Sequence, residues 1–177
     1  MSFKYIAITL IAVILTFLVH EFTHWIMGEL LGYQMIMTLN TVYPAKSSYD
    51  EDWHYTLISA VGPLITLLQA LIIYLIIKKT SRTIMYPFLF SCFYLELFSG
   101  IMNYRNANDL GRISRSINLG LFTIPIIFIT IHFLLIYKTS VREKYSSKFN
   151  SITFLWILLF SSIWILINQR FNVIILK

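Results

Sequence analysis

The chain has 177 residues, of which 58% are hydrophobic, 16% aromatic and only 12% charged, with a mean hydropathy of +0.73. A soluble domain is about a quarter charged, so the composition excludes a disordered chain, a collagen-like repeat and an ordinary water-soluble enzyme. The net charge of +6 in so apolar a chain marks loops at an anionic membrane surface rather than a nucleic-acid site, and the single cysteine, Cys92, allows no intrachain disulfide.

A helix needs about 20 apolar residues to cross the hydrocarbon core. Five segments qualify in chain order. Tyr5 to Ile26 is interrupted only by His20, Glu21 and His24; Leu57 to Ile77 carries no charge. Ile84 to Met102 is broken by Glu96, and Ile117 to Tyr137 holds Pro125 and His132. Ile152 to Ile167 is shorter and spans by borrowing Asn168 and Gln169 at the headgroups. These segments take more than half of the chain. Lys4 before a long apolar run resembles a signal peptide, but no small-residue cleavage site follows, and the segment is expected to be retained. The fold class expected is an all-α integral membrane protein of about five transmembrane helices, a single membrane-embedded domain over 1–177 without internal repeats.

The connections differ in character. Gly32 to Tyr55 is polar and irregular, with an acidic knot at Asp50, Glu51 and Asp52. Lys78, Lys79 and Arg82 form one basic turn, and Lys138, Arg142, Lys144 and Lys148 a second. Placing both in the cytoplasm puts the N-terminus inside and the 32–55 loop outside.

Ionisable groups inside a spanning segment are costly and mark function. Three fall within five residues, His20-Glu21-Phe22-Thr23-His24. With four His and five Glu in the chain, chance yields roughly 0.0025 occurrences of H-E-x-x-H, a pattern that carries a metal mechanism. Positions i and i+4 share a helix face, so both imidazoles can hold one ion. Glu21 lies beside that face, free to act as general base on an activated water.

A third ligand is needed, and Asp109, Glu96 and His54 are the candidates. With five spans, the end of the first and the start of the fourth lie on one membrane side. Asp109, in the polar stretch Asn103 to Arg112, therefore meets His20 and His24 in either orientation. An Asx turn or helix cap is the competing reading for Asp109. Glu96 sits about two turns back in the third span, as a ligand, a partner of a histidine or a protonated carboxyl. Ser59-Ala60-Val61-Gly62-Pro63 reads either as helix-start chemistry or as a break that lets an irregular strand approach the site. His132 reads as a hydrogen-bonded core histidine and Cys92 as a small apolar residue. Arg105, Arg112 and Arg115 suit lipid headgroups, and Arg112 can also hold a carboxylate such as Asp109.

These residues resemble the site-2 protease family of intramembrane zinc metalloproteases. The family pattern continues from H-E-x-x-H to a small residue and a glycine, matched by Gly28 and Gly32, then to a Gly-Pro pair, matched by Gly62-Pro63. Its later Asn-Leu-x-Pro and Leu-Asp-Gly stretches resemble Asn103 and Asp109-Leu110-Gly111-Arg112. The proline is absent here, Leu110 splits the Asp-Gly pair, and Thr66 stands where the family often has Asn. The resemblance covers residues 15 to 116. It implies a three-helix catalytic core over about 5–116, with additional helices over about 117–137 and 152–168, in a minimal form without a regulatory domain. It also implies Zn2+ held by His20, His24 and Asp109, Glu21 as catalytic base, and Asn103 as a substrate-positioning residue. The expected activity is cleavage of peptide bonds within or near the transmembrane helix of a membrane-protein substrate, in the lipid bilayer of a bacterial cytoplasmic membrane. Two alternatives stand beside it. A prenyl-protein-peptidase type of hydrolase would take Glu96 as ligand, and an inactive scaffold or regulator would retain the metal site without turnover.

Overall fold

The structure is a computed structural model describing residues 2–46 and 48–177. Among the described residues, five helices are long and apolar enough to cross a membrane: α1 (Phe3–Leu30), α2 (Asp52–Thr80), the run from a 3-10 turn at Thr83–Met85 into α3 (Tyr86–Met102), α5 (Thr123–Arg142) and α6 (Ser147–Phe171). A short α4 (Asp109–Ser116) lies between α3 and α5, and three short strands, β1 (Met35–Thr38), β2 (Val42–Pro44) and β3 (Ile174–Leu176), complete the chain.

The expected all-α class is therefore corrected by a small antiparallel sheet of order β2-β1-β3. The 32–55 connection was expected to be irregular; Met35-Ile36-Met37 pairs with Val42-Tyr43-Pro44 in a hairpin. Three or four residues are too few for period-2 alternation to register, and Met is a weak strand signal. β3 joins from the far end of the chain, a pairing that sequence separation hides.

Helix ends also moved. A hydrophobic reading stops at the first polar residue, whereas the hydrogen-bond ladder runs on through polar ends exposed beyond the hydrocarbon. The acidic knot supplies Glu51 as the residue capping α2 and Asp52 as its first-turn acid, where a carboxylate suits the helix dipole. Gly62-Pro63 consequently lies inside α2 and not at its start. The fourth span begins at Thr123 instead of Ile117, because Asn118 and Gly120 adopt positive φ (59° and 76°). The apolar side chains of Ile117, Leu119 and Leu121 conceal that break in the sequence.

The bundle core joins α1, α2, α3, α5 and α6 through Val13, Phe17, Ala70, Ile73, Leu89, Leu95, Leu135 and Ile157. At one end it is closed by aromatic packing of Tyr86 on Phe90, Tyr145 and Phe149, and of Tyr5 on Phe149. At the other end the C-terminal half of α6 is tied by polar contacts to the β1–β2 turn. Asn168 Nδ2 donates to Thr38 Oγ1 at 3.0 Å and to Asn40 Oδ1 at 2.5 Å, and Asn168 Oδ1 accepts from Leu39 N at 3.3 Å. Trp164 Nε1 donates to the Leu39 carbonyl at 2.9 Å. The amide is buried, so its bonds are not shared with water.

Asn168→Ala leaves Leu39 N and the Thr38 hydroxyl without this partner. It should cost about 2 kcal/mol, read as a lower apparent Tm in detergent together with faster proteolysis between residues 38 and 44. An unchanged Tm and cleavage pattern would show that the clamp contributes nothing.

Candidate metal centre

The site forms where the C-terminal part of α1, the N-terminal turns of α2, the end of α3 and α4 meet. At 1.5 Å per residue, His20 and His24 lie about 15 and 9 Å below the end of α1. A 28-residue helix is about 42 Å long against a hydrocarbon core of about 30 Å, so the pair sits near one edge of that core. The two rings meet edge to face with centroids 4.8 Å apart.

Their hydrogen bonds decide what the rings present. His24 Nδ1 donates to the Ile58 carbonyl at 2.5 Å. The Thr66 hydroxyl spends its hydrogen on the Gly62 carbonyl at 3.0 Å, so it accepts from His20 Nδ1 at 2.9 Å. Each neutral imidazole then has its proton on Nδ1 and a bare lone pair on Nε2. The two Nε2 atoms are 3.1 Å apart, and Asp109 Oδ2 is 3.4 Å from each. Three lone pairs facing one point repel unless a cation lies between them. Donors about 2.0–2.1 Å from a tetrahedral ion are separated by about 3.3 Å, so the triangle fits a small divalent metal. His20, His24 and Asp109 are the group of potential ligands that the described residues bring together.

Asp109 is the first residue of α4, after Asn108 as its N-cap, and stands outside the spanning helices. Burial pushes its carboxyl up, but in the metal-free protein the charge and hydrogen bonds of protonated His20 and His24 rings outweigh this and hold it well below the usual carboxylate range; a metal cation would take the place of those protons. The acid is thus ionised and available as a ligand. Its second oxygen, Oδ1, lies 3.4 Å from Arg112 Nη1.

Gly62 makes the assembly possible. A Cβ there would lie 2.2 Å from His24 Nε2 and 2.8 Å from His20 Nε2. Neither reading of the Gly-Pro pair holds as expected: the pair starts no helix, and the element that approaches the site at Gly62 is the body of α2 and not an irregular strand. Pro63 has no N–H for the Ser59 carbonyl, and Ser59 lines the adjoining cleft.

That cleft, of about 330 Å³, is walled by Phe17, Leu95 and Phe98 on its apolar side and by Asn40, Asn108 and Arg112 on its polar side. Glu21 is buried and lines it too. Ile165 and Gln169 of α6 add a wall from the helix furthest away in sequence.

The other sequence candidates fall elsewhere. Glu96 is 1% exposed on α3, with Oε1 lacking a hydrogen-bond partner among the described residues, and stands outside the three-ligand group. His54 Nδ1 is bonded to Tyr33 OH at 2.6 Å, and His132 Nδ1 donates to the Phe128 carbonyl at 2.8 Å. Asn103 is 2% exposed; its Oδ1 accepts from Asn108 N at 2.7 Å and its Nδ2 donates to the Ser99 carbonyl at 3.2 Å. It thereby braces the loop that delivers Asp109. Residues missed as contributors are Thr66 and Ile58, which set the histidine tautomers. Thr66 lies on the next helix, 46 positions after His20, and a backbone carbonyl leaves no trace in sequence.

Comparison of the chain with protein-family models, with curated proteins and with solved structures finds no match.

Gly62→Ala should weaken metal binding about 100-fold or more, as should His24→Ala and Asp109→Ala, while Glu96→Ala keeps it. The measurement is metal per chain in the detergent-purified, monodisperse protein. Wild-type metal content in Gly62→Ala would refute the crowded geometry, and loss in Glu96→Ala would make Glu96 a ligand.

Proposed function

We propose that the protein is a zinc metalloprotease that cleaves peptide bonds within or near the transmembrane helices of other membrane proteins. The observation that carries this is the convergence of His20 Nε2, His24 Nε2 and Asp109 Oδ2 at one edge of the membrane core, with Glu21 on the wall of the same cleft. Two nitrogens and a carboxylate suit Zn2+ and leave a fourth position open. When bound there, zinc supplies the Lewis acidity that polarises a carbonyl and acidifies a water.

The chain's own residues do the rest. Ile58 and Thr66 hold the imidazoles in the tautomer that points a lone pair at the ion. Glu21 takes a proton from water as general base and returns it to the leaving amine. Helical substrate carbonyls are hydrogen-bonded and covered, so the scissile segment has to unwind before attack. The cleft suits an unwound chain: residues 40–42 border it, and β2 has one edge without a strand partner, open to pairing with an extended peptide. Substrates with Gly or Pro near the cut should therefore be preferred.

The direct test compares membranes from cells carrying wild type and Glu21→Gln. Wild type should generate new N-termini inside or beside spanning segments, and the variant should lower them about 10²–10⁴-fold while retaining its metal. Equal cleavage by both forms would remove Glu21 from the chemistry. Metal binding without wild-type-specific termini would favour the scaffold reading.

Lys4, Lys78, Lys79, Arg82, Lys138, Arg142, Lys144 and Lys148 all belong to helix ends opposite the metal centre. By the positive-inside rule the centre then faces away from the cytoplasm. Cys92 is buried, so an impermeant thiol reagent reads introduced cysteines: Ser48→Cys should label in intact cells and Lys79→Cys should not. The reverse pattern would invert the orientation.

A further inference from the structure

We infer that Arg112, placed over the ring of Tyr55, is a positioning residue that restricts Asp109 to one metal-facing oxygen and so sets a four-coordinate site with an open position. The inference rests on the metal reading above and goes beyond it, since nothing in the ligand set alone decides how many carboxylate oxygens bind.

Asp109 and Arg112 are three apart on α4 and lie on one helix face. The carboxylate divides its oxygens between different partners. Oδ2 is 3.4 Å from both imidazole nitrogens, and Oδ1 is 3.4 Å from Arg112 Nη1. A carboxylate free of such a partner can turn both oxygens to a metal, as acidic ligands do at larger ions. Bidentate binding would fill the position that a water or a substrate carbonyl needs. A guanidinium on Oδ1 opposes that rotation.

Arg112 can do this only if its own long side chain is confined. Its guanidinium carbon lies 4.8 Å from the centroid of the Tyr55 ring, within the range of a cation–π contact. Tyr55 is in turn stacked on Tyr49 at 5.1 Å, and Tyr49 packs edge to face on Tyr33 at 5.2 Å. Tyr33 OH bonds both His54 Nδ1, at 2.6 Å, and the Asp50 amide, at 3.0 Å. Tyr33 before β1, Tyr49 between β2 and α2, and Tyr55 in the first turn of α2 thereby form an aromatic wall whose last member fixes the arginine beside the ligand. This gives a role to the otherwise unexplained density of tyrosine and histidine before and within the first turn of α2.

The arrangement needs an arginine. A lysine ammonium keeps the charge but has neither a flat face for Tyr55 nor a fork that holds Oδ1 in a fixed direction.

The experiment uses the full chain in detergent, stripped of metal and titrated with Co2+, whose visible bands report coordination number. Wild type should bind one ion with the strong bands of a four-coordinate site. Arg112→Ala should bind about 10–100-fold more weakly, with weaker bands of higher coordination. Arg112→Lys should fall between the two, and Tyr55→Leu should shift the bands the same way by less. A merely structural role would lower the folded fraction without changing the band shape of the protein that remains bound. Wild-type bands and affinity in Arg112→Ala, or full recovery by Arg112→Lys, would overturn the positioning role and leave the metal reading standing. Wild type that takes up no cobalt would overturn both.

Discussion

Three lone pairs within 3.4 Å of one another, at the edge of a membrane core, are the constraint on which the rest of this structure depends. Such a cluster is unfavourable without a cation, and in an apolar bundle no bulk water screens it. The protein holds it by fixing each component from behind. The Ile58 carbonyl and the Thr66 hydroxyl occupy the two Nδ1 atoms, and the start of α4 presents the carboxylate. A backbone carbonyl and a side-chain hydroxyl of α2 thus determine the protonation pattern of side chains on α1. That requires α1 and α2 to approach at Gly62, where any side chain would occupy the space of the ring nitrogens.

The wall of the cleft is drawn from both ends of the chain. Its first part comes from α1, α2 and α3, and its last from α6, three helices later. Joining them is a polar clamp, Asn168 and Trp164 on the 38–41 turn, extended by β3 on the edge of β1. Inside a bilayer, apolar contact between helices competes with equally apolar lipid. Directional bonds to a turn therefore specify the seat of α6 better than further leucines would. At the opposite end the same helix relies on aromatic rings and on Tyr5 OH bonded to Thr153 Oγ1 at 3.2 Å.

Much of the fold was legible in the sequence because its dominant physics is one-dimensional. Long apolar runs in a chain with so little charge have to become helices, and five of them are present. The short strands, the α4 helix and the break at Asn118 and Gly120 were not legible. They turn on a few residues whose backbone is set by neighbours distant in sequence. The site shows the same division. The spacing of His20 and His24, the adjacency of Glu21 and the side of the membrane reached by Asp109 follow from helical geometry and the parity of the spans. Span parity favoured Asp109 over Glu96 and His54, and the structure groups Asp109 with the two histidines while Glu96 and His54 stand apart.

The sequence by itself determined that the chain forms helices long and apolar enough to cross a membrane, with two imidazoles poised on one face of the first, because apolar length and helical period are properties of contiguous residues. Only the tertiary structure decided that Asp109 completes the cluster, that Thr66 and Ile58 set the ring tautomers, and that Asn103 braces a loop. It also decided that Gly62 serves contact and not helix initiation. Apart from the local contacts of Asn103, those facts depend on distances between atoms 34 to 89 positions apart, and such distances follow from how the helices pack and from no local pattern in the chain.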